Sequence, residues 1–193
     1  MALNSSIVDF WSKCKKESIG HMSEMQVEFI IDKLKENKLN NVLEIGFAGG
    51  RHTYAILKTF SVGKWVTVDI NYDYQNSRHK IDEIKKEFNN IEFIEGDSKS
   101  VLTDDFMKTK FPEGVDYVLV DGGHDYYTAL LDMKNVFSHI TAGGIMIVDD
   151  YKSKMCPIAQ VDSAVEDFAK NTQTSFEGAF LEDGKGMAVF IHE

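Results

Sequence analysis

Two acidic stretches and one glycine-rich turn carry most of the chemistry that can be read in this chain. Asp121-Gly122-Gly123-His124 and Asp149-Asp150-Tyr151 each close an apolar run, and residues 42–51 read VLEIGFAGGR. An imidazole three residues after a carboxylate can take a substrate proton, because histidine titrates close to neutral pH. His124 is therefore the first candidate base, with Asp121 beside it, and His52 is the second; His21, His79, His139 and His192 read as surface or structural. Asp121, Asp149 and Asp150 would end two adjacent strands, roughly 4.8 Å apart. Carboxylates that close repel unless they are solvated on splayed loops or a divalent cation sits among them. Oxygen donors with room for water suit magnesium or manganese better than zinc. Side chains alternate along a strand, so Asp149 and Asp150 can both turn inward only if the strand unwinds there.

The glycine turn is the second centre. Gly46 ends an apolar strand-like run, and Gly49 and Gly50 lack a Cβ, so a ligand can lie directly against the backbone at a helix N-terminus. A dinucleotide fingerprint counted from Gly46 would need glycines at 48 and 51, where the chain has Ala48 and Arg51. Glu44, two residues before the turn, suits a ligand with an ammonium or hydroxyls rather than a pyrophosphate. S-adenosylmethionine has an ammonium, a sulfonium and a ribose, and no phosphate. Asp69, which closes the next apolar run, is placed to accept hydrogen bonds from both ribose hydroxyls of a bound adenosine. Asp97 with Ser98 follows the third run, as the N-cap of a helix or as an adenine contact.

These residues need elements to hold them. Apolar runs at 42–46, 65–70, 91–95, 116–121 and 144–149 alternate with amphipathic segments near 50–61, 76–89, 98–109, 125–139 and 158–171. That alternation predicts an α/β fold, a doubly wound, Rossmann-like and mostly parallel sheet covered on both faces. Runs at 175–182 and 186–192, separated by Asp183 and Gly184, predict a C-terminal antiparallel hairpin that brings the sheet to seven strands. Ligands in such sheets sit outside the carboxyl ends of the strands, where strand order reverses. Ile7, Phe10, Trp11 and Cys14, behind Ser5 and Ser6, and Val27, Ile30, Ile31 and Leu34, behind Ser23, predict two N-terminal helices over residues 1–39. Their apolar stripe is expected to cover the pocket or to form a homo-oligomer contact.

The 193 residues suit a single domain with one well-buried core. A net charge of −10 opposes binding to nucleic acid. No stretch approaches a membrane span and the N-terminus does not read as a secretory signal, so a cytoplasmic protein acting on a small molecule is expected. Cys14 and Cys156 have no partners at disulfide or metal spacing, so zinc is not indicated. A nicotinamide-dependent oxidoreductase and a noncatalytic binding module on the same fold stand as alternatives.

Taken together, VLEIGFAGG, VTVDI, DYVLVDGGHDYYTALLDM and AGGIMIVDDY resemble the class I S-adenosylmethionine-dependent methyltransferases. The closer likeness is to small-molecule O-methyltransferases of the macrocin O-methyltransferase and cephalosporin hydroxylase type, over about residues 40–193. The resemblance implies that Glu44, Gly46, Ala48, Gly49 and Gly50 hold the methionine part, Asp69 the ribose, and Asp97 with Ser98 the adenine side, with Asp121 also at the cofactor. It matches Asp121, Asp149 and Asp150 to the metal-binding acids of metal-dependent members. Ala48 departs from the usual glycine, and the turn at 141–144 lacks the usual proline.

Overall fold

The computed structural model describes residues 3–18, 20, 22–73, 77–156 and 158–193. His21 and residue 76, where the helix predicted over 76–89 would begin, lie outside them. The chain runs α1 (Ser5–Lys16), α2 (Glu24–Leu34), β1 (Asn41–Ile45), α3 (Arg51–Thr59), β2 (Lys64–Asp69), α4 (Arg78–Glu87), β3 (Ile91–Glu95), α5 (Ser98–Val101), α6 (Asp104–Lys110), β4 (Val115–Val120), α7 (Tyr126–Phe137), β5 (Ile140–Asp149), α8 (Val161–Thr172), β6 (Glu177–Phe180) and β7 (Gly186–Ile191). The strands form one seven-stranded sheet in the order β3-β2-β1-β4-β5-β7-β6. β1 to β5 are parallel, and β7 is antiparallel to both β5 and β6. The Rossmann-like arrangement expected from the alternating pattern is therefore present, and order reverses between β1 and β4.

Period-two alternation explains why both faces are covered. Val42, Trp65, Tyr117, Leu119, Ile145 and Ile147 point into one apolar layer with α1 to α4. Leu43, Val66, Val118, Val120, Met146 and Val148 point into the other, with α5 to α8.

Four local expectations are revised. The cap of α1 is Asn4, whose side chain accepts from the Ile7 N–H, in place of Ser5 or Ser6. The helix predicted over 98–109 is two, because Thr103 starts a fresh helix by accepting from Phe106 N–H, with Asp104 and Asp105 in its first turn. β5 begins at Ile140, and a register shift against β4 absorbs the turn at 141–144. The apolar stripe of α1 is used inside the chain: Ile7, Phe10, Trp11 and Cys14 are buried, Phe10 stacks on Tyr54 at 4.2 Å, and Trp11 Nε1 donates to Arg51 O at 3.2 Å. Those side chains are thus not available as the predicted homo-oligomer surface. Among the described residues, no helix is long and apolar enough to cross a membrane.

Candidate functional site

At the point where strand order reverses, a cavity of about 640 Å³ opens at the carboxyl ends of β1 to β5. Glu44, Gly46, Ala48, Asp69, Asp97, Ser98, Asp121, His124, Asp149 and Asp150 all line it. Gly20 and Met22, from the connection between α1 and α2, also line it, whereas the apolar stripe of α1 expected to cover the pocket is not among the lining residues.

The glycine turn is built by close approach. Gly46 has φ +90°, and a Cβ there would lie 1.9 Å from the carbonyl oxygen of Asp121. Ala48, Gly49 and Gly50 also have positive φ, but Gly49 and Gly50, expected to lie against the ligand, are not among the residues that line the cavity: a Cβ on Gly50 would stand 2.5 Å from the Phe47 ring, so this glycine makes room for that side chain and caps α3. Asp69 fastens the turn from the neighbouring strand: Oδ2 accepts from Phe47 N–H at 2.7 Å and Oδ1 from Asn71 N–H at 2.8 Å. Each oxygen keeps acceptor capacity toward the cavity. Asp97 is the N-cap of α5, accepting from Lys99 N–H, and its carboxylate lies 3.2 Å from Lys99 Nζ.

Glu44 is buried, with its oxygens engaged on three sides. It accepts from Thr53 Oγ1 at 2.6 Å, from Thr67 Oγ1, and from His52 Nδ1 at 2.7 Å. His52 Nε2 meets Tyr117 Oη at 2.9 Å. With both ring nitrogens engaged and the ring 3% exposed, His52 braces the end of β1 and has no nitrogen to offer a substrate.

The acids behave differently. β4 and β5 are neighbours, with Val120 beside Val148, so Asp121 and Asp149 leave adjacent strand ends. Asp150 has φ +59°, which is the unwinding that lets it turn inward after Asp149. Burial pushes the carboxyls of Asp121 and Asp149 upward, Asp149 well above the ordinary value, and their mutual repulsion with Asp150 adds to it. Asp149 is steadied by Gln26, whose Nε2 donates to Oδ1 while its Oε1 accepts from Ser23 N–H in the capping box of α2. His124 sits between the acids, Nδ1 at 3.2 Å from Asp150 Oδ2 and Nε2 at 3.7 Å from Asp121 Oδ1. Asp121 first, then the Cys156 sulfur and Asp150, push the imidazole up to about 10 against the opposing effect of burial, so at neutral pH the ring is an imidazolium.

The three aspartates do not close as a single donor set. Among the described residues, the group whose ligand atoms all lie within 4.8 Å of one another is His124, Asp150 and Cys156. Cys156, Gln26 and Arg51 were not legible as site residues. Arg51 lines the cavity, its guanidinium carbon 5.7 Å from the ring centre of Trp11, and its Nε finds no hydrogen-bond partner among the described residues.

Asp132 on α7 underlies the site, its Oδ2 3.3 Å from where a Cβ on Gly122 would stand. Burial raises its carboxyl to about 6. A group raised on folding favours the folded state while it is protonated, and that advantage is lost as pH climbs from about 4 through 6. A displacement of about two pH units corresponds to about 3 kcal/mol. Asp132→Asn is accordingly expected to be more stable than the wild type at pH 8, relative to their difference at pH 4, by up to that amount. Urea midpoints at the two pH values check it; an identical difference at both would show that the carboxyl is not raised.

Residues 43–151 match the model of a family described as a methyltransferase domain. The chain belongs to that methyltransferase family. No curated protein matches the sequence. Among solved structures, the chain is similar to an O-methyltransferase from Bacillus cereus in complex with SAH, at 15% identity and a TM-score of 0.76, covering 100% of this chain and 93% of that one. It is also similar to the O-methyltransferase TomG from Streptomyces achromogenes, in complex with SAM, at 12% identity and 0.73, covering 98% and 91%. A third is the SAH-bound Podospora anserina methyltransferase PaMTH1, at 15% and 0.73, covering 100% and 90%. At such identities these structures speak to the shared methyltransferase fold.

Proposed function

We propose that this protein transfers the methyl group of S-adenosylmethionine to a hydroxyl oxygen of a small molecule in the cytoplasm. The observation that carries the reading is one cavity that joins an adenosine-type cradle, Asp69 beside the glycine turn, to a proton-handling group, His124 between Asp121 and Asp150. The similar O-methyltransferases from Bacillus cereus and Streptomyces achromogenes, solved in complex with SAH and SAM, support it.

In this reading Asp69 accepts from the ribose hydroxyls, and Asp97 with Ser98 borders the adenine. The methionine ammonium feels the buried charge of Glu44 and the glycine-turn backbone, with no free Glu44 oxygen required. Arg51 supplies a cation for the methionine carboxylate. Transfer is an in-line displacement at the sulfonium, and the acceptor hydroxyl becomes a good nucleophile as it loses its proton. His124 takes that proton once its ring is neutral, and Asp121 orients the ring and stabilises the imidazolium that forms. Magnesium or manganese, if held by Asp121, Asp149 and Asp150, would lower the pKa of the hydroxyl. Asp150 Oδ1, buried and without a hydrogen-bond partner among the described residues, fits such a cation, whereas Asp149 Oδ1 is already bound to Gln26 and, among the described residues, the three carboxylates do not form one donor set.

Calorimetry tests the cofactor. S-adenosylhomocysteine is expected to bind more tightly than NAD, and the reverse order would overturn the assignment in favour of an oxidoreductase. Asp69→Ala is expected to weaken S-adenosylhomocysteine by about 1–3 kcal/mol, the cost of removing a charged acceptor from hydrogen-bonded hydroxyls. An unchanged dissociation constant would show that the ribose lies elsewhere.

A further inference from the structure

The turn that follows β5 brings a thiol to the acids. Cys156 Sγ lies 3.6 Å from His124 Nδ1, and Asp150 Oδ2 lies 3.2 Å from the same nitrogen. All three ligand atoms are within 4.8 Å of one another. Zinc held tetrahedrally at its ordinary bond lengths sets its donors about 3.3 Å apart for nitrogen and oxygen and about 3.6 Å apart for nitrogen and sulfur. The two separations from Nδ1 match those edges, and the third, between the Asp150 and Cys156 donors, is within 4.8 Å. Two further observations point to a ligand. Asp150 is 5% exposed, and its Oδ1 has no hydrogen-bond partner among the described residues. The second ring nitrogen of His124 faces Asp121 Oδ1 at 3.7 Å, the carboxylate-behind-histidine arrangement that orients metal-bound imidazoles.

We propose that His124 Nδ1, Asp150 Oδ2 and Cys156 Sγ form a three-donor site for a zinc-type divalent cation, with its fourth position open to the cavity. The donor chemistry decides the class. A thiolate and an imidazole favour a borderline-soft cation, and they discriminate against magnesium, which wants an octahedron of oxygens. Binding displaces the ring proton and the thiol proton to solvent, so one cation releases protons as it enters. The consequence for the methyl-transfer reading, on which this part rests, is regulatory. With Nδ1 on the cation the ring can no longer accept the hydroxyl proton, so occupancy switches proton removal off.

Cobalt(II) serves as a coloured stand-in for zinc. Chelator-dialysed protein titrated with cobalt is expected to bind one equivalent and to show a thiolate-to-cobalt charge-transfer band, and zinc should bleach it. Cys156→Ser should abolish the band and weaken zinc at least tenfold by calorimetry; His124→Ala should weaken zinc similarly; Cys14→Ser, at the buried cysteine of α1, should keep both. A band that survives in Cys156→Ser, zinc affinity unchanged in both site variants, or magnesium bound as tightly as zinc would overturn the site. S-adenosylhomocysteine binding is measured on the same samples. A protein that shows the band yet binds no S-adenosylhomocysteine supports the metal site and overturns only the methyl-transfer reading.

Discussion

Replacing His124 by alanine is expected to lower the rate of methyl transfer about 10²- to 10⁴-fold, the range for losing a positioned general base. S-adenosylhomocysteine binding should hold, because the cradle at Asp69 and the glycine turn is built without the ring. The pH profile makes the test specific. Asp121, with the Cys156 sulfur and Asp150, holds the imidazole at about 10, so at pH 7 only a small fraction of the free enzyme carries a neutral ring. The rate should therefore climb about tenfold per pH unit from neutrality and level off near pH 10. Asp121→Asn removes the largest cause of the shift, which favours the neutral ring, so the shoulder should move to lower pH. A profile that is flat from pH 7 to 10 in zinc-free protein, or a His124→Ala variant of undiminished rate, would remove His124 from proton transfer.

The features legible in the sequence were those whose cause is local. Gly46, Asp69, Asp121 and Asp149 each sit at the end of an apolar run, and a parallel sheet delivers every such end to one edge, so their convergence followed from alternation alone. The unwinding at Asp150 was legible as a geometric requirement, and its positive φ meets it. What escaped depends on contacts between distant segments. Gln26 reaches Asp149 across 123 residues, and nothing in the sequence around an amide on the first turn of a helix marks it as a site residue. Cys156 meets His124 across 32 residues through an irregular turn, so a rule based on linear cysteine and histidine spacing passes over it. Arg51 counted only as a residue that spoiled a dinucleotide fingerprint, although it lines the cavity. His52 shows the opposite error: its place just inside the first helix after the turn suggested a base, and only the fold reveals Glu44 and Tyr117 on its two nitrogens. The helix break at Thr103 was in principle visible, since a threonine followed at once by two aspartates is a helix start signal.

Gly46→Ala is expected to destabilise the fold by about 4 kcal/mol or more, at the upper end of what single substitutions cost. Two effects combine there. The residue has φ +90°, where an L side chain costs about 1–2 kcal/mol. The added methyl would also stand 1.9 Å from the carbonyl oxygen of Asp121, a backbone atom that cannot swing aside like a side chain. Asp121 N–H donates to Ile45 O at 2.9 Å and Gly46 N–H to Val68 O at 2.9 Å, so relief requires prising apart the ends of three strands. Those ends carry Asp69 and the Asp121-to-His124 loop, and S-adenosylhomocysteine binding should fall with stability. Gly143→Ala separates the two effects, because Gly143 has φ +77° yet nothing lies within 4 Å of its would-be Cβ. It should show the conformational cost alone, about 1–2 kcal/mol, with cofactor affinity unchanged. Urea midpoints and calorimetry on both variants decide the matter. Equal losses of stability would mean that the close approach of β1 to β4 contributes nothing, and that the glycine is there for its backbone angle only.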